Sequence, residues 1–206
     1  MAGLFITIEG ADGSGKTTQI ELLKKYFNHN NYDFIYTREP GGTIISEAIR
    51  NIILDKNYTE MNFKTEVLLY AASRAQHVEE LIRPALKSGK IVLCDRYIDS
   101  SIVYQGIARG IGIDEVTKIN EWATSGLNPD ITFLLDLEPN IGLSRKQKQK
   151  ELDRLELEKD AFHIDVVKGY RHIQEKDPDR IILIDASKTI EEVHQLIINK
   201  INNEIS

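Results

Sequence analysis

The sequence is poor in the features that mark secreted, membrane and nucleic-acid-binding proteins. Cys94 is the only cysteine in 206 residues, so no internal disulfide can form, and its apolar neighbours favour a packed thiol in a reducing compartment. No segment reaches membrane-spanning length, and the N-terminal residues lack the pattern of a signal peptide. A net charge of -6 argues against a nucleic-acid-binding surface covering the protein. We therefore expect a cytoplasmic protein that binds neither membranes nor nucleic acid.

The apolar residues that are present predict one α/β domain spanning 1–206. Hydrophobic residues make up 41% of the chain, which suffices for a sizeable core. Short apolar runs alternate with segments of helical period, as expected for a five-stranded parallel sheet flanked by helices. The predicted strands are 4–9, 33–37, 91–94, 131–135 and 181–184. An aspartate follows three of them, at the sheet edge where open α/β sheets bind ligands.

Several helical segments carry apolar side chains at helical spacing, which predicts faces packed in the core. The stripes are Ile20, Leu23 and Phe27; Phe162, Val166, Tyr170 and Ile173; and Ile190, Val193, Ile197 and Ile201. The segment 62–86 is predicted to be one long helix that Pro84 ends or kinks. Asp185 suits the cap of a last helix from Thr189 as well as it suits a ligand contact.

The strongest local motif is GADGSGKT, at positions 10–17. It has the phosphate-loop spacing of glycine, four residues, glycine, lysine and then serine or threonine, and it stands between a predicted strand and a predicted helix. Its backbone N–H groups are expected to cradle ATP, with Lys16 on the phosphates and the Thr17 hydroxyl on Mg²⁺. The candidate ATP-binding residues are Gly10, Ala11, Asp12, Gly13, Ser14, Gly15, Lys16, Thr17 and Thr18.

The loop alone leaves the fate of the γ-phosphate open, because switch GTPases, mechanical ATPases and small-molecule kinases share it. No guanine-selecting motif follows, and the chain is short for a mechanical ATPase. A kinase with a small acceptor is therefore favoured. Arg38, Arg50 and Arg96 could bind a phosphate on that acceptor through their planar guanidinium groups; the alternative for each is a surface salt bridge, which is least favoured for Arg96.

Six blocks, in this order along the chain, resemble the thymidylate kinase family. They are IEGADGSGKTTQ, TREPGGT, LLYAASRAQHV, LCDRYIDSSIVYQG, GLNPDITFLLDL and ELDR. The resemblance implies the P-loop nucleoside monophosphate kinase fold, a small lid and ATP-dependent phosphorylation of dTMP to dTDP for dTTP biosynthesis. It also implies Mg²⁺ as the cofactor and a homodimer. The alternatives are a kinase of another small acceptor, such as a deoxynucleoside or shikimate, and a P-loop nucleotide switch.

The resemblance also implies roles around the acceptor's phosphate and sugar. Arg38, Arg50 and Arg96 would grip the dTMP phosphate, and Asp12 would hold the sugar 3′-hydroxyl. Asp95 and Glu39 would organise Mg²⁺, its waters and those arginines, with Asp95 acting on the metal through water. Lys16, Arg96 and Asp95 thus become candidate catalytic residues.

Further residues are implied for the base and for the 2′ position of the sugar. Tyr70 would stack on thymine, where the family commonly has phenylalanine. Arg74 would bond the base carbonyl, and Ser101 and Gln105 would complete the hydrogen bonds around the pyrimidine edge. Tyr104 would crowd the 2′ position and so disfavour ribonucleotides.

The basic run SRKQKQK followed by ELDR resembles the mobile lid of these kinases, over about 144–158. Gly13 stands where one branch of the family has a catalytic arginine, so the lid is expected to supply that charge. Arg154 is the candidate for this catalytic role, and Arg145 is expected to close on ATP. Lys146, Lys148 and Lys150 are out of register with one bacterial arginine pattern, which leaves open which lid cation reaches the transition state.

Overall fold

The chain forms a five-stranded parallel sheet with helices on both faces, as the sequence predicts. A computed structural model describes residues 3–146, 154–155 and 157–205, with the backbone alone for 143–146. The strands are β1 (Leu4–Glu9), β2 (Phe34–Arg38), β3 (Ile91–Asp95), β4 (Ile131–Asp136) and β5 (Ile181–Asp185). Their order in the sheet is β2-β3-β1-β4-β5. Each predicted strand boundary is within one residue of the observed one.

Nine α-helices occur among the described residues. They are α1 (Lys16–His29), α2 (Ile44–Leu54), α3 (Phe63–His77), α4 (Arg83–Lys87), α5 (Ile98–Ser101), α6 (Ile113–Thr124), α7 (Pro139–Lys146), α8 (Asp160–Lys176) and α9 (Ile190–Ile205). π-helical turns occupy Val78–Ile82 and Ile102–Ala108. Within this described part of the chain, no helix is long and apolar enough to cross a membrane.

The predicted long helix continues past Pro84 as far as Lys87. The π-helical turn Val78–Ile82 joins α3 to α4, and the N–H of Arg83 bonds the carbonyl of Val78. Proline at the next position has no N–H to donate and would clash with an ordinary α-helical turn before it. The wider π turn is a geometry that accommodates this proline without ending the helix.

The core lies on both faces of the sheet because successive strand residues point to opposite sides. Ile6 and Ile8 pack in a cluster with side chains of α1 and α9, whereas Phe5 packs in another cluster with Val78. The first two predicted stripes are buried, but Ile190 is 50% exposed, so the buried face of α9 begins at Val193.

Asp185 does not cap α9. Its carboxylate accepts hydrogen bonds from the backbone N–H and the hydroxyl of Ser187. The N-terminus of α9 is closed instead by Thr189 and Glu192, each of which accepts a backbone hydrogen bond from the other. This reciprocal pair is a capping box.

Candidate active site

The turn between β1 and α1 is the predicted phosphate loop. Gly15 has φ +94, in the left-handed region that favours glycine, and α1 begins at the next residue. Lys16 is 8% exposed, and its Nζ donates to the carbonyls of Gly10 at 2.9 Å and Ala11 at 3.0 Å. Burial, together with the positive charge of Arg96, lowers the pKa of Lys16 to about 8. The lysine is thus folded onto its own loop, and phosphate oxygens would provide it with negative partners.

A pocket lies beside this loop, at the carboxyl ends of β2 and β3. It encloses about 720 Å³, counting the open solvent at its mouth. All the residues predicted for the acceptor line it, namely Asp12, Arg38, Glu39, Arg50, Tyr70, Arg74, Arg96, Ser101, Tyr104 and Gln105. Asp95 lines it too, as do five residues to which the sequence assigned no contact with the acceptor: Pro40, Leu54, Tyr97, Ser100 and Leu155.

Arg96 joins the phosphate loop to this pocket. Its Nη2 donates to Asp12 Oδ1 at 2.6 Å, and its Nη1 donates to the carbonyl of Gly10 at 3.0 Å and to the hydroxyl of Tyr170 at 3.1 Å. The guanidinium also lies 5.3 Å from the ring centre of Tyr104. Its backbone has φ +67, a conformation that costs a residue other than glycine about 1–3 kcal/mol and that occurs most often at functional sites.

The other two arginines predicted for the phosphate stand at the β2 side of the pocket. Arg38 forms an ion pair with Glu47 at 3.0 Å. Arg50 donates from Nη1 to the carbonyl of Pro40 at 2.8 Å. The tip of β2 and helix α2 therefore hold two cations against the same pocket that Arg96 enters from β3.

Arg74 of α3 is held by four hydrogen bonds within the protein and is 2% exposed. Its Nε donates to Glu39 at 2.6 Å, its Nη1 to Ser101 and Asn120, and its Nη2 to the carbonyl of Tyr97. A guanidinium has five N–H groups, all donors. This side chain can therefore offer a ligand only a donor, in a fixed position.

Glu39, which lines the pocket, forms its ion pair with Arg74. Its other carboxylate oxygen contacts Nδ1 of His77 at 2.9 Å, and Nε2 of His77 contacts the hydroxyl of Thr37 at 2.6 Å. These side chains are all buried. The chain of contacts ties the tip of β2 to α3 behind the pocket.

Glu9, the last residue of β1, was given no role from the sequence. It is fully buried and accepts hydrogen bonds from the backbone of Tyr97 at 2.7 Å and the hydroxyls of Ser100 at 2.6 Å and Tyr170 at 2.8 Å. Burial, with the negative charge of Asp99, raises the pKa of Glu9 to about 7. Its position as a carboxylate ending a buried strand, directly before the loop, was the signal that could have identified it.

Tyr170 was predicted only as a core residue, and it does pack in the core. Its hydroxyl, however, contacts Arg96, Ser100 and Glu9 within 3.1 Å. A hydroxyl among the apolar residues of the α8 stripe was the available signal. Helix α8 thereby contacts the arginine that links the two halves of the site.

The residues predicted for Mg²⁺ fit that ion. Oδ1 of Asp95 is buried and has no hydrogen-bond partner among the described residues, and Thr17 is exposed in the first turn of α1. In the part of the chain that the structure describes, no three histidine, cysteine, aspartate or glutamate side chains are grouped to bind a metal. Mg²⁺ commonly keeps several waters and takes one or two protein oxygens plus substrate phosphates.

Comparison with known proteins agrees with this geometry. The family model described as thymidylate kinase matches residues 8–197. The chain is 51% identical to a thymidylate kinase of Geobacillus sp. (strain WCH70), covering 100% of this chain and 99% of the relative. It is 52% identical to one of Clostridium novyi (strain NT), covering 94% and 95%. The crystal structure of thymidylate kinase from Ehrlichia chaffeensis superposes with a TM-score of 0.78 at 34% identity, covering 97% and 98%.

The chain belongs to the thymidylate kinase family. It is therefore a phosphotransferase of the nucleoside monophosphate kinase fold, and its reaction is the phosphorylation of dTMP. The resemblance stated from the sequence is confirmed. Neither a kinase of another acceptor nor a nucleotide switch finds support.

The segment predicted to be the lid, about 144–158, lies only partly within the residues that the structure describes. Arg154 is 9% exposed, and it donates from Nε to the carbonyl of Ile53 at 2.9 Å and from Nη2 to Glu66 at 2.6 Å. It does not line the acceptor pocket, although Leu155 beside it does. The side chains of Arg145, Lys146, Lys148 and Lys150 lie outside the described residues.

Gly13 of the phosphate loop lies against the backbone of α7. A Cβ at this position would stand 2.6 Å from the carbonyl oxygen of Gly142, and the φ of Gly13 is +79. An arginine at position 13 would therefore clash with α7 and strain the loop. This geometry agrees with the expectation that the catalytic charge comes from elsewhere in the chain.

Proposed function

We propose that this chain transfers the γ-phosphate of ATP to dTMP, giving dTDP for dTTP synthesis, within one kinase domain spanning 1–206. The observation that carries the proposal is the pocket beside the phosphate loop. Every side chain predicted to contact dTMP lines it, and Arg96 connects it directly to Asp12 of the loop. Donor and acceptor phosphates would therefore meet at Arg96.

The donor side holds ATP mainly through backbone groups. The N–H groups of 10–15 and the N-terminus of α1 surround the phosphates, Lys16 supplies a positive charge, and Thr17 and Thr18 complete the first turn. Thr17 and, through water, Asp95 would hold Mg²⁺, which neutralises phosphate charge when it is bound.

The acceptor side holds dTMP through side chains. Arg38, Arg50 and Arg96 bind its phosphate, and Asp12 binds the 3′-hydroxyl. Tyr70 stacks on the base, and Arg74, Ser101 and Gln105 bond the base edge. Tyr104 fills the space of a 2′-hydroxyl: its own hydroxyl is buried without a partner among the described residues.

The transfer needs no general base, because an ionised phosphate oxygen of dTMP is the nucleophile. The protein contributes alignment and positive charge around the transferring group. Arg154 is proposed as the lid charge and Arg145 as the arginine that closes on ATP. In the described conformation Arg154 is paired with Glu66, so this role requires that ion pair to open when ATP binds.

We also propose a cytoplasmic homodimer. Large apolar side chains are exposed on the packed helices α2 and α3, including Ile44 at 88%, Ile45 at 53% and Leu68 at 58%. A second copy of the chain covering this surface would remove them from water. Sedimentation equilibrium of the wild type and of Leu68→Glu tests the assembly, and a monomeric wild type would contradict it.

One assay tests the reaction. ADP release, coupled to a reporter, is compared for dTMP, thymidine, dUMP, AMP and shikimate with ATP and Mg²⁺. Rapid release is expected with dTMP, slower release with dUMP and background rates with the others. Equal rates with thymidine and dTMP would contradict a pocket built around a phosphate. Arg96→Lys should raise KM for dTMP and lower kcat, because lysine cannot replace the bidentate guanidinium.

A further inference from the structure

The carboxylate of Glu66, on α3, is fully buried next to the acceptor pocket and contacts Gln105. Its Oε1 accepts a hydrogen bond from Gln105 Nε2 at 3.0 Å, and its Oε2 accepts one from Arg154 Nη2 at 2.6 Å. Arg109 approaches both oxygens at 3.4 Å and pairs with Glu158 at 2.7 Å. One buried carboxylate thus holds two arginines and the amide of a pocket residue.

This contact fixes the orientation of the Gln105 amide. A carboxylate only accepts hydrogen bonds, so the amide must turn its NH₂ group toward Glu66. Gln105 is 1% exposed. If its amide turned over, the Gln105 carbonyl oxygen would face the Glu66 carboxylate, and this contact between two acceptors would cost about 1–3 kcal/mol. Its carbonyl oxygen, Oε1, is then the group left for a molecule in the pocket.

Arg74 provides the complementary group in the same pocket. Four of its five N–H groups are used inside the protein, and the fifth, on Nη2, remains to be donated. A base edge would therefore meet a fixed donor from Arg74 and a fixed acceptor from Gln105. Thymine and uracil match this pair, with a carbonyl at C4 and an N–H at N3. Cytosine presents the reverse, an amino group at C4 and an acceptor at N3.

We propose that Glu66 is a specificity-determining positioning residue, which excludes cytosine by holding the Gln105 amide in one orientation. Glu66 itself does not line the pocket, so it acts through Gln105. The inference rests on the proposed contact between Gln105 and the base. It goes further than that contact by assigning the choice between thymine and cytosine to a carboxylate behind the pocket.

The test is the ratio of kcat/KM for dTMP to kcat/KM for dCMP in Glu66→Gln. A glutamine at this position can offer either a donor or an acceptor, so the Gln105 amide can turn over and accept cytosine. We expect the ratio to fall by about tenfold or more relative to wild type. A ratio within twofold of wild type in the folded variant would overturn the proposal.

Glu158→Gln is the matched control. It makes the same chemical change in the same charge cluster, where it contacts Arg109 and has no contact with Gln105. Its ratio should stay within twofold of wild type. A tenfold fall in the control as well would assign the effect to general weakening of the cluster and would overturn the proposal.

Two further variants separate the possible failures. If Gln105→Ala leaves the ratio unchanged, the proposed base contact fails and the inference fails with it. If Gln105→Ala lowers the ratio but Glu66→Gln does not, only the role of Glu66 fails. Should Glu66→Gln not fold, Glu66→Asp keeps the charge for both arginines but withdraws the acceptor from Gln105 by about 1.5 Å, and the same fall is expected.

Discussion

The acceptor pocket and the phosphate loop are organised in different ways. In the pocket, polar side chains already hold each other: Arg74 with Glu39, Arg96 with Asp12, and Gln105 with Glu66. In the loop, Lys16 donates to the carbonyls of Gly10 and Ala11, and among the described residues its Nζ forms no further hydrogen bond. The pocket is thus preorganised for a particular molecule, whereas the loop must exchange its internal contacts for phosphate oxygens.

This difference has an energetic consequence. Removing one partner of a buried ion pair costs about 3–5 kcal/mol, because the other charge stays behind without compensation. Changes in the pocket are therefore expected to affect both substrate choice and stability. Changes in the loop should affect turnover far more than stability.

The largest expected effect is on the loop side. Lys16→Ala should lower kcat by about a thousandfold, because a preorganised positive charge on the transferring phosphoryl group is lost. The melting temperature should change little, since among the described residues the lysine donates hydrogen bonds to two loop carbonyls and to no other group. Steady-state kinetics and thermal unfolding check this, with Lys25→Ala on the exposed side of α1 as control. A kcat within tenfold of wild type would show that the loop does not work as proposed.

The next effect concerns Arg154, in the segment predicted to be the lid. Arg154→Ala should lower kcat by about a hundredfold if its charge reaches the transition state. The comparison is with Arg145→Ala and Lys150→Ala, measured at saturating ATP and dTMP. An unchanged kcat for Arg154→Ala would reject it as the lid charge and leave it a structural role, through its contacts with Glu66 and the carbonyl of Ile53.

A smaller effect lies within the pocket. The thymine methyl should contribute about 1–3 kcal/mol, so kcat/KM for dUMP is expected to be roughly ten- to 200-fold below that for dTMP. Purine nucleotides should be rejected much more strongly, because their edges leave buried polar groups unpaired. Equal efficiency for dTMP, dUMP and dCMP would contradict a pocket that reads the base.

The last expected effect is on stability rather than on turnover, and it depends on pH through Glu9 between the two regions. Its pKa is raised from 4.5 to about 7, so the folded protein holds the proton more tightly than the unfolded chain does. The stability from this difference is fully present below pH 4.5 and is lost as the pH rises through 7, with a limit of about 3 kcal/mol at 1.36 kcal/mol per pKa unit.

Urea unfolding of wild type and Glu9→Gln from pH 4 to pH 8 measures this change. Glutamine does not titrate, so the difference in unfolding free energy between the two proteins should change mainly between pH 4.5 and pH 7. A constant difference over that range would show that Glu9 does not titrate there.

The sequence predicted the sheet and the phosphate loop well because both depend on local pattern. Buried parallel strands appear as apolar runs, and the loop depends on the spacing of glycines and a lysine within eight residues. The acceptor residues came from the resemblance, and the structure places them in one pocket. Of the two effects predicted for Pro84, ending the helix is wrong, because a π turn absorbs what would otherwise interrupt an α-helix.

What the sequence alone determined is therefore the parallel sheet, the phosphate loop and the family. Only the tertiary structure decided which side chains support the site. Glu9 meets Tyr170 from 161 positions away, and Glu66 meets Gln105 across 39. Such contacts carry no local periodicity, because they depend on how helices from distant parts of the chain pack over the ends of the strands. Burial makes these contacts energetically important, because a polar group removed from water must form its hydrogen bonds with the groups that the fold places beside it.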